Sequence, residues 1–380
     1  MSMARSLIAL LLTAGLSLQA SAQQYNMPVG VTEISREIHG LHMTIFWICV
    51  AIGVVVFGAM LVSMILHRKS RGHEPATFHE STKLEVAWTV VPLLILIAMA
   101  VPATDVLVKM YDSGGEDMVV EVRGYQWKWQ YKYLDDDLEE QLSFFSNLTT
   151  PREQIGNLAD KGENYLLEVD NPLVIPTGRK VRFLLTSNDV IHAWWVPDFG
   201  LKRDAVPGFI NDIWAIVDEP GIYRGQCTEL CGKDHGFMPI VVHALPPEEY
   251  AAWYADQLGE QVAEARQEAE LVEQDWTGAE LFARGESVYE GQCAACHQPN
   301  GQGMPPVFPA IAGSAVATGD VRDHLDVIYN GRAGTAMQAF GQQLNATDIA
   351  AVMHYQRHAF GNDTGDVVMP ADVVAFTQVR

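Results

Sequence analysis

Two long apolar runs limit what this chain can become. Residues 43–66 form one unbroken apolar stretch, and a second, containing Pro92 and Pro102, covers about residues 86–108. Each is long enough to cross the roughly 30 Å hydrocarbon core of a bilayer as a helix. Neighbouring helices can accommodate the kinks that the two prolines introduce. Arg68, Lys69, Arg71 and Lys83 lie between the runs, and positive residues mark the cytoplasmic side of a membrane. The expectation is a helical hairpin over residues 23–112 with both ends outside. The start of the chain agrees. Arg5, the apolar residues 7–18 and Ala20-Ser21-Ala22 read as a secretory signal over residues 1–22, with cleavage before Gln23. Cys49, inside the first run, reads as a small apolar packing residue. Glu85, at the inner mouth of the second run, reads on its own as an interfacial end residue.

After the hairpin the pattern changes. Short strand-like runs at 118–123, 127–134, 165–169, 180–187, 213–215 and 240–244 are punctuated by Gly, Pro, Asn and Asp. That is the signature of a β-sandwich or barrel, here spanning residues 116–245. Near its end, Cys227, Cys231, His235 and Met238 fall within twelve residues, and His192 lies upstream. Thiolate, imidazole and thioether are together the ligands of a copper electron-transfer centre. Two cysteines four apart can bridge two metals, with His192 and His235 as terminal ligands. Met238 and the Glu229 carbonyl would be weak axial donors. A Cys227–Cys231 disulfide is the rival reading in an exported chain, and a tetrahedral zinc site is another. Neither accounts for Met238, because a thioether is a poor zinc ligand. Ligands on two late loops at one end of a barrel make a cupredoxin-like arrangement.

Residues 246–275 are acidic, with Glu260, Glu264, Glu268, Glu270 and Glu273 against the single Arg266. Tyr250, Tyr254, Leu258, Val262, Ala265 and Ala269 recur at spacings of three and four, which predicts one amphipathic linker helix with a solvated acidic face. Beyond it, Cys293-Ala294-Ala295-Cys296-His297 is the attachment signature of a c-type haem. Both thiols would add to the porphyrin, and His297 would become the proximal iron ligand. A sixth ligand has to come from Met304, Met337 or Met353, with His324, His354 and His358 behind them. Met304 follows His297 too closely to reach the opposite face, and Met353 lies in a helical stretch. Met337 is therefore the expected ligand, and the three histidines read as surface residues. The haem domain covers residues 276–361, and residues 362–380 carry no readable motif. The formal net charge of −22 excludes nucleic acid as a partner, since that needs a basic face. It suits solubility or a basic partner.

The loop 227–238 with His192 resembles the dinuclear copper (CuA) site of cytochrome c oxidase subunit II. Residues 278–360 resemble a class I cytochrome c, and the Met337 loop resembles its distal methionine loop, with Gln338 where proline is common. The resemblance implies a multidomain chain: a two-helix transmembrane hairpin, a cupredoxin-like CuA domain and an all-α cytochrome c domain. It implies that Trp127, in the aromatic run 124–133, is the electron-entry residue above the copper. Lys132 stands where the family often has an acidic residue, which weakens docking of a free basic cytochrome at this face. The segment 85–92 resembles one whose glutamate, here Glu85, opens a proton path into subunit I. Asp204 resembles a residue near the subunit I contact, and Glu229 one whose carboxylate faces a magnesium ion shared with subunit I. The function implied is relay of electrons from cytochrome c through the chain's own haem c and CuA to haem in subunit I. There oxygen is reduced to water, coupled to proton transfer. Subunits I and III and a periplasmic cytochrome c or other donor are the implied partners. The implied location is the bacterial inner membrane, with both redox domains on the periplasmic side. A CuA-bearing subunit of a nitric oxide reductase and a membrane-anchored carrier without an oxidase partner are the alternatives.

Overall fold

A computed structural model describes residues 26–72, 77, 79–134, 141–332 and 335–378; the expected signal sequence lies outside them. The two apolar runs form helices α1 (Glu33–Leu66) and α2 (Thr82–Tyr111). Both present exposed apolar side chains, such as Val55, Phe57, Leu96 and Val101, and they span the membrane. Each is longer than its apolar run. α1 starts early because Thr32 and Ser35 form a capping box, which satisfies amides that a helix start otherwise leaves unpaired. The Thr32 hydroxyl also donates to the Phe199 carbonyl at 2.9 Å, so the helix start is fixed to the domain above it. Lys109 of α2 pairs with Glu37 of α1 at 2.6 Å.

Ten strands follow: β1 (Met118–Tyr125), β2 (Lys128–Leu134), β3 (Ser143–Ser146), β4 (Leu173–Pro176), β5 (Lys180–Ser187), β6 (His192–Val196), β7 (Leu201–Ala205), β8 (Asn211–Ile216), β9 (Gly221–Cys227) and β10 (Pro239–Leu245). A single helical turn, α3 (Arg152–Ile155), interrupts the connection from β3 to β4. The strands make two five-stranded sheets, ordered β3-β2-β1-β5-β8 and β4-β10-β9-β6-β7. Period-two alternation decides which side chains fill the space between them. Trp129, Tyr131 and Tyr133 of β2 point inward and are buried, as are Val181, Phe183 and Leu185 of β5. Trp194 of β6 meets Phe183 across the core at 5.0 Å between ring centres. Gly225 is required where β9 passes β6, because a Cβ there would lie 2.0 Å from the Trp195 carbonyl oxygen.

The run 165–169 is not a strand. It is turn, with Leu166 in the left-handed region at φ 62, and only Val169 makes an isolated bridge, to Leu148. Strands β3, β4, β6, β7 and β9 had no counterpart among the runs read from the sequence. They are short, or they lie inside the segments that carry metal donors, where local chemistry hides the alternation.

The acidic segment forms α4 (Pro247–Glu273), followed by α5 (Gly278–Val288), α6 (Ala294–His297), α7 (Val321–Asn330), α8 (Ala346–His358) and α9 (Pro370–Gln378). α4 is more than a solvated arm. Tyr250, Trp253 and Tyr254 pack on the sandwich core, and Gln261 accepts from the Ser143 amide at 2.8 Å. The Glu268 carboxylate accepts from both the amide and the hydroxyl of Thr347, capping the region where α8 begins. The final segment also belongs to a core. Val368, Val373 and Phe376 pack with Ile349 and Met353 of α8.

Candidate metal centre and haem pocket

The topology brings the predicted donors together at one end of the sandwich. His192 opens β6, Cys227 closes β9, and Met238 immediately precedes β10. The Cys227 and Cys231 sulfurs lie 3.9 Å apart, far beyond a disulfide bond of about 2.05 Å. His192 Nδ1 is 3.9 Å from Cys227 Sγ, and His235 Nδ1 is 3.4 Å from Cys231 Sγ. Met238 Sδ lies 3.6 Å from Cys231 Sγ, and the Glu229 carbonyl 3.4 Å from Cys227 Sγ. Donors on a shared metal, each about 2.0–2.3 Å from it, stand at such separations. Each sulfur has its own imidazole, and the sulfurs adjoin each other, so the set fits a pair of metals bridged by two thiolates. His192, Cys227 and Cys231 are all buried.

Electrostatics favour one deprotonated sulfur in the pair. The contact with Cys231 pulls the Cys227 thiol well below its ordinary value, with His192 adding to the effect against burial. The same contact, with burial, holds Cys231 up, so the pair shares one proton that an incoming metal would displace. His192 Nε2 is 2.9 Å from Asp189 Oδ1. That partner fixes the ring so that Nδ1 faces the sulfurs, the usual outer support of a metal-bound histidine. Burial opposes a charged His192, yet Asp189 and Cys227 together raise it. Asp189 and Gln126 had no role in the sequence reading. A carboxylate three residues before a ligand histidine was the available signal for Asp189; Gln126 had none, because its contacts are long-range.

Trp127 is half-buried and donates from Nε1 to the Cys231 carbonyl at 3.1 Å. The carboxylates of Glu229 and Asp204 are exposed, as is Glu85 in the first turn of α2, so none of the three carboxylates is among the buried donors.

In the helical domain, Cys293, Cys296, His297 and Met337 line a cavity of about 480 Å³ together with apolar residues such as Ile311 and Phe340. His297 Nδ1 lies 2.9 Å from the Pro309 carbonyl, which leaves Nε2 available as a ligand. Burial lowers His297 toward the neutral form that binds metal, and burial pushes the Cys293 thiol up to about 12. An apolar cavity with two thiols and a neutral imidazole on its wall fits a covalently held haem. Among the described residues Met337 is the methionine on that wall. Met304 is 41% exposed and Met353 fully buried in the neighbouring core. The surface reading of the histidines fails for two of them: His324 and His354 are 3% and 5% exposed. His324 lines the cavity, bonded to Gln356 at 2.9 Å, and burial lowers it to about 4.

A membrane hairpin bearing a cupredoxin-like metal domain and a haem-sized cavity in a helical domain defines a class: membrane-anchored electron-transfer proteins. The comparisons narrow it. Residues 118–245 match the periplasmic domain of cytochrome c oxidase subunit II, and residues 20–106 match its transmembrane domain. Residues 279–355 match the family described as cytochrome c oxidase, cbb3-type, subunit III. The probable cytochrome c oxidase subunit 2 of Rickettsia felis is 40% identical over 222 residues, covering 58% of this chain and 68% of that protein. Cytochrome c oxidase subunit 2 of Cereibacter sphaeroides is 35% identical, covering 58% and 76%. Among solved structures, the periplasmic domain of subunit II of cytochrome oxidase of Bradyrhizobium japonicum shares 36% identity over 39% of this chain and 98% of its own, with a TM-score of 0.34. The chain belongs to the cytochrome c oxidase subunit II family and carries a cytochrome c domain after its copper-binding domain. An electron-transfer role, copper and haem c follow from those families.

Proposed function

We propose that this chain is subunit II of a haem–copper oxidase and passes electrons from an outside donor, by way of its own haem domain and its copper site, to subunit I. Cys227, Cys231, His192, His235 and Met238, with the Glu229 carbonyl, hold the copper pair. Cys293 and Cys296 tether the haem, and His297 and Met337 bind its iron. Bound there, copper and haem supply one-electron chemistry without bond rearrangement. The protein's part is rigidity. Asp189 fixes His192, Pro309 fixes His297, and the two buried cores leave little to reorganise when charge arrives.

The observation that carries the reading is the placement of the two centres. Gln338, beside Met337 on the haem cavity, donates from Nε2 to the main-chain carbonyl of Gln126 at 3.1 Å, and the Gln126 side chain donates to the carbonyl of copper ligand Cys231 at 2.8 Å. The Tyr125 hydroxyl, two residues before Trp127, lies 3.1 Å from Gln130 Oε1 and 3.3 Å from Gln342 Oε1 of the haem domain. Trp127, covered by its hydrogen bond to Cys231, serves the internal transfer, and the haem domain receives the outside donor, a periplasmic cytochrome c or another small carrier. On this reading Glu85 sits at the cytoplasmic end of α2, where it collects protons for subunit I. The exposed Glu229 carboxylate contributes to a magnesium site completed by subunit I. The assembly lies in a bacterial inner membrane with subunits I and III, both redox domains on the periplasmic side.

Purification of the native complex tests the proposal. A large subunit containing haem a, with oxygen uptake driven by reduced cytochrome c, is the expected result. Nitric oxide turnover in place of oxygen uptake, or isolation with no large subunit, would overturn it.

A further inference from the structure

We propose that Gln338 is a positioning residue that locks the distal methionine loop of the haem domain onto the copper site. The inference rests on the relay reading above and adds the residue that couples its two halves. Gln338 follows Met337 directly, and its Nε2 donates to the main-chain carbonyl of Gln126 at 3.1 Å. Gln126 is a hub on the copper side. Its amide donates to Asp189 Oδ2 at 2.7 Å, and Asp189 Oδ1 holds His192. Its side chain donates to the Cys231 carbonyl at 2.8 Å, beside the indole of Trp127, which donates to the same oxygen. A continuous path therefore runs from Met337 through Gln338 and Gln126 to both Cys231 and His192.

The amide of Gln338 is itself oriented. Gln343 Nε2 donates to Gln338 Oε1 at 3.0 Å and to the Ala339 carbonyl at 2.6 Å, which turns the Gln338 NH2 group toward Gln126. A proline at this position, the residue common in the distal loop that this one resembles, has neither a side-chain donor nor an amide hydrogen and could not make the contact. Glutamine at 338 thus has a partner in the neighbouring domain as well as in its own loop. The step it serves is one electron leaving the haem iron and one arriving at the copper pair.

The test uses the whole purified complex with Gln338→Glu, which keeps the side-chain size and removes the donor, and Gln343→Ala, which frees the Gln338 amide without altering it. Haem is reduced by a light-triggered donor, and oxidation of haem is followed against reduction of copper. Loss of one net hydrogen bond lowers the docked-to-undocked equilibrium constant about five- to tenfold. Transfer should slow measurably, by up to that factor, in Gln338→Glu and by less in Gln343→Ala. The methionine–iron absorption band, the copper paramagnetic spectrum and the rate of haem reduction by the donor should stay at their parent values. A Gln338→Glu complex that transfers at the parent rate overturns the assignment of Gln338 while leaving the relay standing. A parent complex with no haem-to-copper transfer overturns the relay and the inference with it. If Gln338→Glu loses the methionine band while Gln343→Ala transfers at the parent rate, Gln338 supports Met337 alone and the coupling role is refuted.

Discussion

Removing the Asp189 carboxylate should weaken copper binding without unfolding the sandwich. Its side chain is 8% exposed. Oδ1 contacts His192 Nε2 at 2.9 Å and accepts from the Val190 amide at 2.7 Å, while Oδ2 accepts from the Gln126 amide at 2.7 Å. Asp189→Ala deletes all three, leaving the buried His192 ring free to turn and its Nε2–H without an acceptor. Loss of such an outer partner lowers metal affinity about 10- to 100-fold, or about 1.4–2.7 kcal/mol. Asp189→Asn keeps an acceptor oxygen and should fall between Ala and the parent. The assay is copper titration of the metal-free full chain in detergent against a competing chelator, with the haem band reporting an intact second domain. An Asp189→Ala chain that holds copper as tightly as its parent would refute the reasoning.

Arg357, 2% exposed, pairs through two nitrogens with Asp366 at 2.9 and 2.6 Å. The Arg357 guanidinium holds the Asp366 carboxyl down to about 2, against about 3.9 in an unfolded chain. A depressed carboxylate stabilises the fold above its unfolded value, and that contribution is lost as pH falls through about 4 to 2. It would be worth about 2.6 kcal/mol in full, and solvent screening at a side chain 36% exposed reduces it to about 1 kcal/mol. Acid unfolding followed at the haem band should show this dependence in the parent and lose it in Asp366→Asn. Gly285→Ala places a Cβ 2.0 Å from the Ala351 carbonyl oxygen. Thermal unfolding of the haem domain should show it destabilised by about 1–3 kcal/mol. Met337→Ala should abolish the methionine–iron absorption band, which Met304→Ala should leave in place.

What the sequence revealed depended on how local each signal was. The hairpin was legible because twenty or so consecutive apolar residues have few other uses. The ligand loop and the haem signature were legible because their donors are close neighbours in sequence, and His192 because of the company it keeps. Strands β6, β7 and β9 escaped because their pairing is set by residues far along the chain. Gly221 and Gly225 break the alternation of β9, metal donors end β9 and open β6, and β7 carries three consecutive charged residues, Lys202, Arg203 and Asp204. His324 and His354 looked like surface residues because burial of an imidazole depends on which helices cross it. Glu268 looked solvated because its partner, Thr347, is far away in sequence. The contacts of Gln126, Gln338 and Gln343 are likewise long-range. They exist only once both domains have folded.

The central claim is that two bridging thiolates hold a pair of copper atoms beside a covalently attached haem. Paramagnetic resonance of the purified full chain, partly oxidised, tests it most directly. The account predicts one unpaired electron whose hyperfine structure is shared equally by two copper nuclei, alongside a low-spin haem signal, with Cys227→Ser removing the first and sparing the second. A signal from a single copper nucleus, or stoichiometric zinc with no copper signal, would contradict it.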